Sequence, residues 1–248
     1  MASRRTRQNG AEATEDRTKR QERAERILDA AAELTLRWGY NKTTIDDIAK
    51  QAGVAKGTIY LHWKTREDLF RAMMVREDAL LGEDIQQRLV SDPEGSTIHG
   101  LMKHSILAIS QRPLMKAVIT RDTDLLGEWV RDEYNEDTTR QRLDAYKSFL
   151  AFLRKNGLIR TDLDDLQATY ILTMVTIGAL MVDPWLLEGY KVSDEQAAEL
   201  VAETVRRVLE PRVPPTKEAY QEVSQTFHAY IDDEIKAIKE RHKKELGT

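Results

Sequence analysis

The residues whose types and spacing indicate chemistry lie in one short segment, GVAKGTIYLHWKTREDLF, at positions 53–70. Lys56 and Tyr60 are four residues apart, so a helix would project both side chains from the same face. Ile59 and Trp63 have the same spacing and can pack against apolar residues of the preceding segment. A basic and aromatic face opposite an apolar face is typical of a helix that docks on the DNA backbone.

Catalytic and metal chemistry find little support elsewhere in the chain. The sequence has no glycine-rich phosphate loop, no H-E-x-x-H motif and no G-x-S-x-G motif. It has no cysteine, which excludes disulfides and thiolate metal ligands. His99 and His104 are five residues apart, so a helix would hold them on different faces. The sequence therefore predicts no enzyme, no catalytic residue, no metal site and no cofactor.

Length and charge suggest a small basic region followed by a larger acidic one. The chain has 248 residues, which suits one large helical unit or two modest ones. Residues 1–65 carry 13 Lys and Arg against 9 Asp and Glu, a net charge of +4 within a chain total of −4. Neither a signal-peptide core nor an apolar run of about 18 residues is present. These features predict a cytoplasmic protein that does not contact a membrane and whose basic front meets an anion.

Apolar spacing along the chain predicts helices and almost no strands. Thr43 or Thr44 can cap a short helix that ends at Gly53, and a second short helix runs from Ala55 to Trp63. Two short helices joined by a glycine-containing turn form a helix-turn-helix, whose second helix enters the DNA major groove. The predicted helices cover residues 19–38, 44–53, 55–63, 65–90, 97–111, 113–132, 137–156, 163–182, 194–209 and 216–246.

The segment TTIDDIAKQAGVAKGTIYLHWKTREDL resembles the DNA-binding signature of the tetracycline-repressor (TetR) family of bacterial transcription regulators. The resemblance covers roughly residues 20–75, and Gly39 and Tyr40 before the segment also fit it. Leu61 stands where many relatives carry a polar or aromatic residue, and Trp63 replaces the usual Phe. For the DNA contacts, the resemblance implies a set of seven residues: Thr44, Lys56, Gly57, Thr58, Tyr60, His62 and Lys64.

Within that set, the resemblance implies distinct roles. Lys56, Tyr60, His62 and Lys64 would touch phosphates, and Thr44 would cap the second helix. Gly57 and Thr58 would face base edges. The implied organisation is a flexible basic arm at 1–18, a three-helix DNA-binding domain at 19–66 and a helical ligand-binding and dimerisation domain at 67–210. The arm, with the sequence SRRTRQ, is either a disordered tail or an extension into a groove.

Two sets of residues are candidates for the larger domain. The segment LQATYILTMVTIGALM, from Leu166 to Met181, is apolar nearly all round, which is expected of a helix buried on both sides. With residues 194–212 it can form a dimer bundle or be buried within one subunit; the interface candidates are Leu166, Tyr170, Ile177, Gly178, Val201, Val205 and Val208. Bulky or polarizable residues suit a ligand pocket or ordinary core: Met102, His104, Met115, Trp129, Tyr134, Phe149, Phe152, Tyr170, Met174, Met181 and Trp185.

A further helix is predicted at the C-terminus, in a predicted extension at 211–248. Pro211, Pro214 and Pro215 end the preceding helix, and Thr216 can cap the next one. Apolar residues then recur at three- and four-residue steps from Tyr220 to Ile238. We expect this amphipathic helix to dock on the larger domain, in its own subunit or across a dimer, rather than to serve a membrane or a third partner.

These observations predict an all-α, ligand-responsive transcription regulator. As a homodimer it would bind a palindromic double-stranded DNA operator as a repressor, and a small apolar or amphipathic effector would release it. An activator role is compatible with the same residues. The alternatives are a constitutive DNA-structuring protein without a ligand and a helical enzyme fused to a helix-turn-helix.

Overall fold

The computed structural model describes the backbone of residues 2–130, 136–213 and 217–245, and most of their side chains. All the regular elements of these residues are helices, which confirms the predicted all-α class. The chain forms two compact units. The first contains residues 1–76 and 239–248, and the second contains residues 77–238.

The first unit is built from α1 (Ala2–Trp38), α2 (Ile45–Ala52), α3 (Lys56–Tyr60) and the first part of α4 (Arg66–Ser91). A short 3-10 turn, Tyr40–Lys42, precedes α2. Each helix contributes its apolar face to one core, as the spacing of the apolar residues predicts. The buried residues include Ile27, Leu28, Leu34, Ile45, Ile48, Ile59, Trp63, Leu69, Phe70 and Met73.

Helix α1 is longer than the sequence predicted. It begins at Ala2, whereas the sequence predicted a flexible arm through residue 18 and a helix from residue 19. Residues 11–37 contain no glycine or proline and are rich in Ala, Glu and Arg, which favour helix, so no local signal stops the helix at residue 19. The predicted role of SRRTRQ in a DNA groove concerns side chains outside the described residues.

The division between the units falls inside α4, between Arg76 and Glu77, and not at the predicted boundary after residue 66. The first turns of α4 belong to the first unit because Leu69, Phe70 and Met73 are fully buried there. Arg76 is also held in this unit, since its Nη1 lies 2.7 Å from Oδ1 of Asp29 on α1.

The end of the C-terminal helix also belongs to the first unit. His242 Nε2 lies 3.4 Å from a carboxylate oxygen of Glu25 on α1, and Arg76 approaches the same carboxylate. The hydrogen bond from His242, together with the charges of His242 and Arg76, holds the pKa of Glu25 below its usual value against the effect of burial. Three helices therefore meet at one carboxylate.

The second unit contains the rest of α4 and α5 (Ile98–Ser110), α6 (Pro113–Thr120), α7 (Thr123–Leu126) and α8 (Glu136–Lys155). They are followed by α9 (Asp165–Met181), α10 (Asp194–Leu209) and α11 (Lys217–Glu245), whose residues up to 238 lie in this unit. Capping boxes of Asp164 with Gln167 and of Ser193 with Gln196 fix the starts of α9 and α10.

The predicted helix over residues 113–132 is interrupted. Arg121 adopts a left-handed conformation with φ +55°, which ends α6. The carboxylate of Asp122 then accepts hydrogen bonds from the backbone N–H groups of Asp124 and Leu125 and starts α7. The apolar spacing continues across this break, so periodicity alone did not reveal it.

The core of the second unit lies between α5, α8, α9 and α10 and is closed by α11. Phe227 of α11 is fully buried in it. The ring of Tyr230 stacks on Phe152 with centroids 5.0 Å apart and on Phe149 at 5.7 Å. The expectation that the C-terminal helix docks on the larger domain is therefore confirmed, and it docks on its own chain.

Candidate nucleic-acid interface

The geometry of α2, the turn and α3 follows from three local signals. The hydroxyl of Thr44 accepts a hydrogen bond from the backbone N–H of Asp47, so Thr44 is the N-cap of α2. Gly53 ends α2 in a left-handed conformation, φ +65°, which a residue with a side chain rarely adopts. Ile59 and Trp63 are buried, so the opposite side of α3 faces outward.

Three of the seven predicted contact residues lie on this outward side, namely Lys56, Gly57 and Tyr60, and a fourth, Lys64, is exposed in the turn after α3. Tyr60 keeps 44% of its surface exposed, which is unusual for an aromatic residue beside a core. Leu61 next to it is 75% exposed. A Cβ added at Gly57 would meet nothing within 4 Å, so packing inside the unit does not demand glycine there. These features favour an external partner for this surface.

Lys56 is already engaged by a carboxylate that the sequence did not single out. Its Nζ lies 2.8 Å from Oδ2 of Asp46 on α2, and both side chains are exposed. The hydrogen bond to Asp46 raises the pKa of Lys56, so the ammonium stays charged at neutral pH. A DNA phosphate approaching Lys56 would have to compete with Asp46.

Thr44 and Thr58 carry an uncharged hydroxyl group, unlike the two lysines. The hydroxyl of Thr44 donates to Oδ2 of Asp47 while it accepts from the Asp47 N–H, so the pair forms a reciprocal cap. The predicted capping role is confirmed. Thr58 is half-buried on α3, one residue from Gly57.

His62 differs from the exposed phosphate contact that the resemblance implied. The ring is half-buried, lies 5.2 Å from the Trp63 ring between centroids, and has a buried Nδ1 without a hydrogen-bond partner among the described residues. Burial, followed by the charges of Arg20 and Arg23 on α1, lowers its pKa. The lowered pKa favours the neutral imidazole, which can still donate one hydrogen bond but offers a phosphate no positive charge.

Two arginines of α1 belong to this surface, although the sequence gave no reason to select them. Arg20 is exposed and Arg23 is half-buried, and both are near enough to His62 to lower its pKa. Only the tertiary fold brings α1 beside the end of α3, so spacing within one helix could not reveal this proximity.

Arg66, at the start of α4, holds the loop before α2. Its Nε donates to the carbonyl of Thr43 at 3.1 Å, and its Nη2 donates to the carbonyl of Tyr40. The guanidinium also lies over the rings of Tyr40 and Phe70, at 3.8 and 4.8 Å from their centroids. Because this loop leads directly into the Thr44 cap, Arg66 positions the helix-turn-helix rather than contacting a ligand.

The structure separates the predicted pocket residues into two groups. Six belong to the interior of the second unit and are buried or half-buried: Met102, His104, Met115, Trp129, Phe149 and Phe152. Nε2 of His104 lies 2.8 Å from a carboxylate oxygen of Asp92. Four lie on the surface instead: Tyr170, Met174, Met181 and Trp185. Tyr134 lies outside the described residues. The predicted set therefore does not line one cavity.

The predicted interface residues are also divided. Leu166 and Tyr170 on α9 are 77% and 71% exposed, and Gly178 is exposed. Ile177 and Val208 are half-buried. Val201 and Val205 point into the core of their own unit and are not available to a partner. They were misassigned because an apolar stripe on a helix does not reveal which neighbour covers it.

Comparison with known proteins identifies the first unit. Residues 27–73 match the model of the family described as bacterial regulatory proteins, tetR family. Residues 27–73 therefore carry the DNA-binding region of the TetR family. The matched residues include α2, the turn and α3, which together form the helix-turn-helix.

Individual relatives agree with this identification. The chain is 27% identical over 173 residues to the HTH-type transcriptional regulator AcrR of Shigella flexneri, covering 67% of this chain and 79% of AcrR. It is 35% identical over 99 residues to the fatty acid metabolism regulator protein of Bacillus subtilis, covering 38% of this chain and 49% of that protein. These relatives are regulators, which confirms the expected class of a DNA-binding regulator and not an enzyme.

Most of the chain shares its fold with a solved regulator. The structure of FadR from Bacillus subtilis in complex with stearoyl-CoA superposes with a TM-score of 0.55 at 22% identity. The match covers 73% of this chain and 96% of FadR. At this identity the likeness establishes the fold alone, and it includes the helical domain as well as the helix-turn-helix.

The membrane prediction can be compared with the described helices. Within residues 2–130, 136–213 and 217–245, no helix combines the length and the apolar character that crossing a bilayer requires.

Proposed function

We propose that the chain is a homodimeric TetR-family repressor that binds a palindromic operator and is released by a small apolar or amphipathic effector. One α3 helix from each subunit would enter the major groove, in successive grooves about 34 Å apart. The outward side of α3 carries this proposal. Lys56 and Tyr60 project from it, Lys64 is exposed in the turn that follows, and Ile59 and Trp63 anchor the segment in the core.

The electrostatics of this surface suit a duplex. Lys64 is exposed and forms no hydrogen bond or ion pair with any residue in the described part of the chain, so its charge is available to a phosphate. Gly57 leaves open space on α3, through which the backbone can approach a groove. Phosphate contacts fix the position of such a helix, whereas residues such as Thr58 would read base edges.

An exposed apolar stripe on α9 supports a dimer. Leu166, Tyr170 and Met174 recur at four-residue intervals and are mostly exposed, and Met181 continues the row. Apolar rows of this length on a monomer's surface mark protein interfaces. In the dimer, the α9 helices of the two subunits would cover one another.

The second unit would hold the effector. The same fold carries stearoyl-CoA in the structure of Bacillus subtilis FadR, so it can accommodate a ligand with a long apolar part. An effector lowers operator affinity only as far as it prefers the subunit arrangement that does not match the operator spacing.

The test is selection of operator DNA from a random pool, followed by measurement of affinity against salt concentration. We expect an inverted repeat. Lys64→Ala should weaken binding to all sequences and reduce the slope of log K against log salt by about one. Lys147→Ala, which removes an exposed cation of α8, is the matched control. Thr58→Ala should change the preferred bases instead.

Two results would reject the proposal. Selection of no sequence would exclude an operator-specific regulator, and an unchanged salt slope for Lys64→Ala would exclude this docking of α3.

A further inference from the structure

A cleft of about 580 Å³ lies in the second unit, between the residues that precede α5, the turn after α8 and the end of α10. This volume is within the range of small-molecule sites. Its walls combine three arginines with apolar groups: Arg206, Arg207 and Arg212 with Pro93, Leu158 and Pro211. Among the described residues that line it, none belongs to the pocket set predicted from the sequence.

A buried histidine fixes one of these arginines. Nη2 of Arg206 lies 2.8 Å from Nε2 of His99, and Nδ1 of His99 lies 2.6 Å from Oε1 of Glu210. A guanidinium only donates hydrogen bonds, so Nε2 must accept and Nδ1 must carry the proton that it donates to Glu210. His99 is 5% exposed. The neutral imidazole therefore acts as a rigid support that orients Arg206 at the wall of the cleft.

The carboxylates at the cleft are already used by the protein. Glu210 accepts from Nδ1 of His99 and, at 3.1 Å, from the backbone N–H of the same residue at the start of α5. Glu94 accepts from Nη2 of Arg206 at 3.1 Å. Each carboxylate at the cleft therefore already has a donor from the protein, which partly offsets its attraction for a cationic ligand.

The guanidinium groups, in contrast, retain unused donors. The Nε and Nη1 groups of Arg206 form no hydrogen bond with any residue in the described ranges. Arg212 is exposed and forms no hydrogen bond or ion pair there. Its charge helps to lower the pKa of Asp162, although the hydrogen bond from Arg160 is the main cause. Arg207 is paired with Glu203 outside the cleft.

These unused arginine donors stand out because the rest of this part of the chain is acidic: residues 66–248 carry 25 Lys and Arg against 33 Asp and Glu. Arg206 and Arg212 have unused donors and lie beside apolar residues. Such a site suits a ligand with an anionic head group and an apolar chain. Guanidinium groups bind carboxylate and phosphate through charge-assisted hydrogen bonds, which are the strong ones. Leu158 and the two prolines would contact the apolar part.

We propose that this cleft binds amphipathic anions, with a carboxylate or phosphate head held by Arg206 and Arg212. The assignment deepens the proposed function by naming the effector class and its site, and it rests on that function for the effect of binding on DNA. Carboxylate and phosphate head groups both offer several acceptor oxygens. The experiment distinguishes them by testing one ligand of each kind.

Titration calorimetry of the full chain without DNA tests the site, with decanoate, decyl phosphate and decyltrimethylammonium as probes of equal chain length. We expect at least one anion to bind and the cation not to bind. Arg206→Gln and Arg212→Gln should each weaken anion binding about tenfold or more, the value of a hydrogen bond to a charged group. Lys147→Gln removes an exposed cation elsewhere in the unit and should leave the affinity unchanged.

The proposal is overturned if neither anion binds, if the cation binds equally well, or if Arg212→Gln behaves as Lys147→Gln does. Arg212 is exposed, so its variant should fold; a circular-dichroism melt checks this. Because DNA is absent, failure here leaves operator binding intact, whereas an anion that binds the cleft in a chain without operator affinity would reject the proposed function alone.

Discussion

Lys56 and Asp46 form an ion pair across the turn between α2 and α3, with Nζ 2.8 Å from Oδ2. The pair places a negative charge on the surface that is proposed to meet DNA. Asp46 repels phosphates and also occupies the ammonium that would bind one. An ion pair of this kind therefore restrains affinity, and it makes docking of α3 an exchange of one anionic partner for another.

Replacing Asp46 by Asn should strengthen binding to all DNA sequences by about twofold to fivefold, the range of an exposed ion pair. The α2 helix would lose a favourable charge in its first turn, worth about 0.3–1 kcal/mol. Fluorescence anisotropy with operator and unrelated DNA measures the gain. Asp144→Asn is the matched control, because Asp144 pairs with Lys147 at 3.5 Å on α8. Weaker binding by Asp46→Asn would contradict this role.

Replacing Arg66 by Ala should lower the free energy of unfolding by about 2–4 kcal/mol. The change leaves the carbonyls of Tyr40 and Thr43 without their donor and removes the cation from two aromatic rings. Arg66→Lys should recover only part of the loss, since one ammonium cannot reproduce the planar fork.

Urea unfolding measures both Arg66 variants. Lys50→Ala, an exposed cation on α2, should stay within about 0.5 kcal/mol of the original chain. If Arg66→Ala matched Lys50→Ala, the loop before α2 would not depend on the guanidinium.

Local signals predicted the helix-turn-helix well. The Thr44 cap, the Gly53 stop and the four-residue spacing of Ile59 and Trp63 are all properties of short segments, and the structure has each of them. Arg66 escaped prediction because its partners, the carbonyls of Tyr40 and Thr43, lie more than twenty residues away and carry no side-chain signature.

The second unit was harder to predict because apolar periodicity shows that a helix has an apolar stripe but not which helix packs against that stripe. Val201 and Leu166 both belong to apolar stripes, yet Val201 faces its own core and Leu166 faces outward. The cleft was missed for the same reason. Arg206 and Glu210 are one helical turn apart, but His99 lies more than a hundred residues earlier, and only folding brings its imidazole between them.

The apolar row on α9 predicts that the chain sediments as a dimer at micromolar concentration. Tyr170→Asp should weaken dimerisation at least about tenfold, since it places a charge in an apolar interface. Val90→Asp is the control, because Val90 is an exposed apolar residue on α4 rather than on α9.

A Cβ at Gly178 would meet nothing within 4 Å in its own subunit, so Gly178→Leu should affect only the dimer. Sedimentation of the unaltered chain as a monomer would reject this interface.

Replacement of Phe227 tests how much the stability of the second unit depends on α11. Its ring is fully buried, and Phe227→Ala should cost about 3–5 kcal/mol through the lost transfer energy and the cavity left behind. Lys236→Ala on the exposed side of the same helix should be nearly neutral.

Amide hydrogen exchange over residues 221–238 gives an independent measure of the same contact. We expect protected amides in the original chain, because Tyr230 stacks on Phe152 and Ile235 is buried. Phe227→Ala should speed exchange along α11 while the order of preference among operator sequences stays the same, since α3 is unaltered. Rapid exchange throughout this segment in the original chain would mean that α11 is not docked in solution, and removal of the chain after Pro215 would then leave stability unchanged.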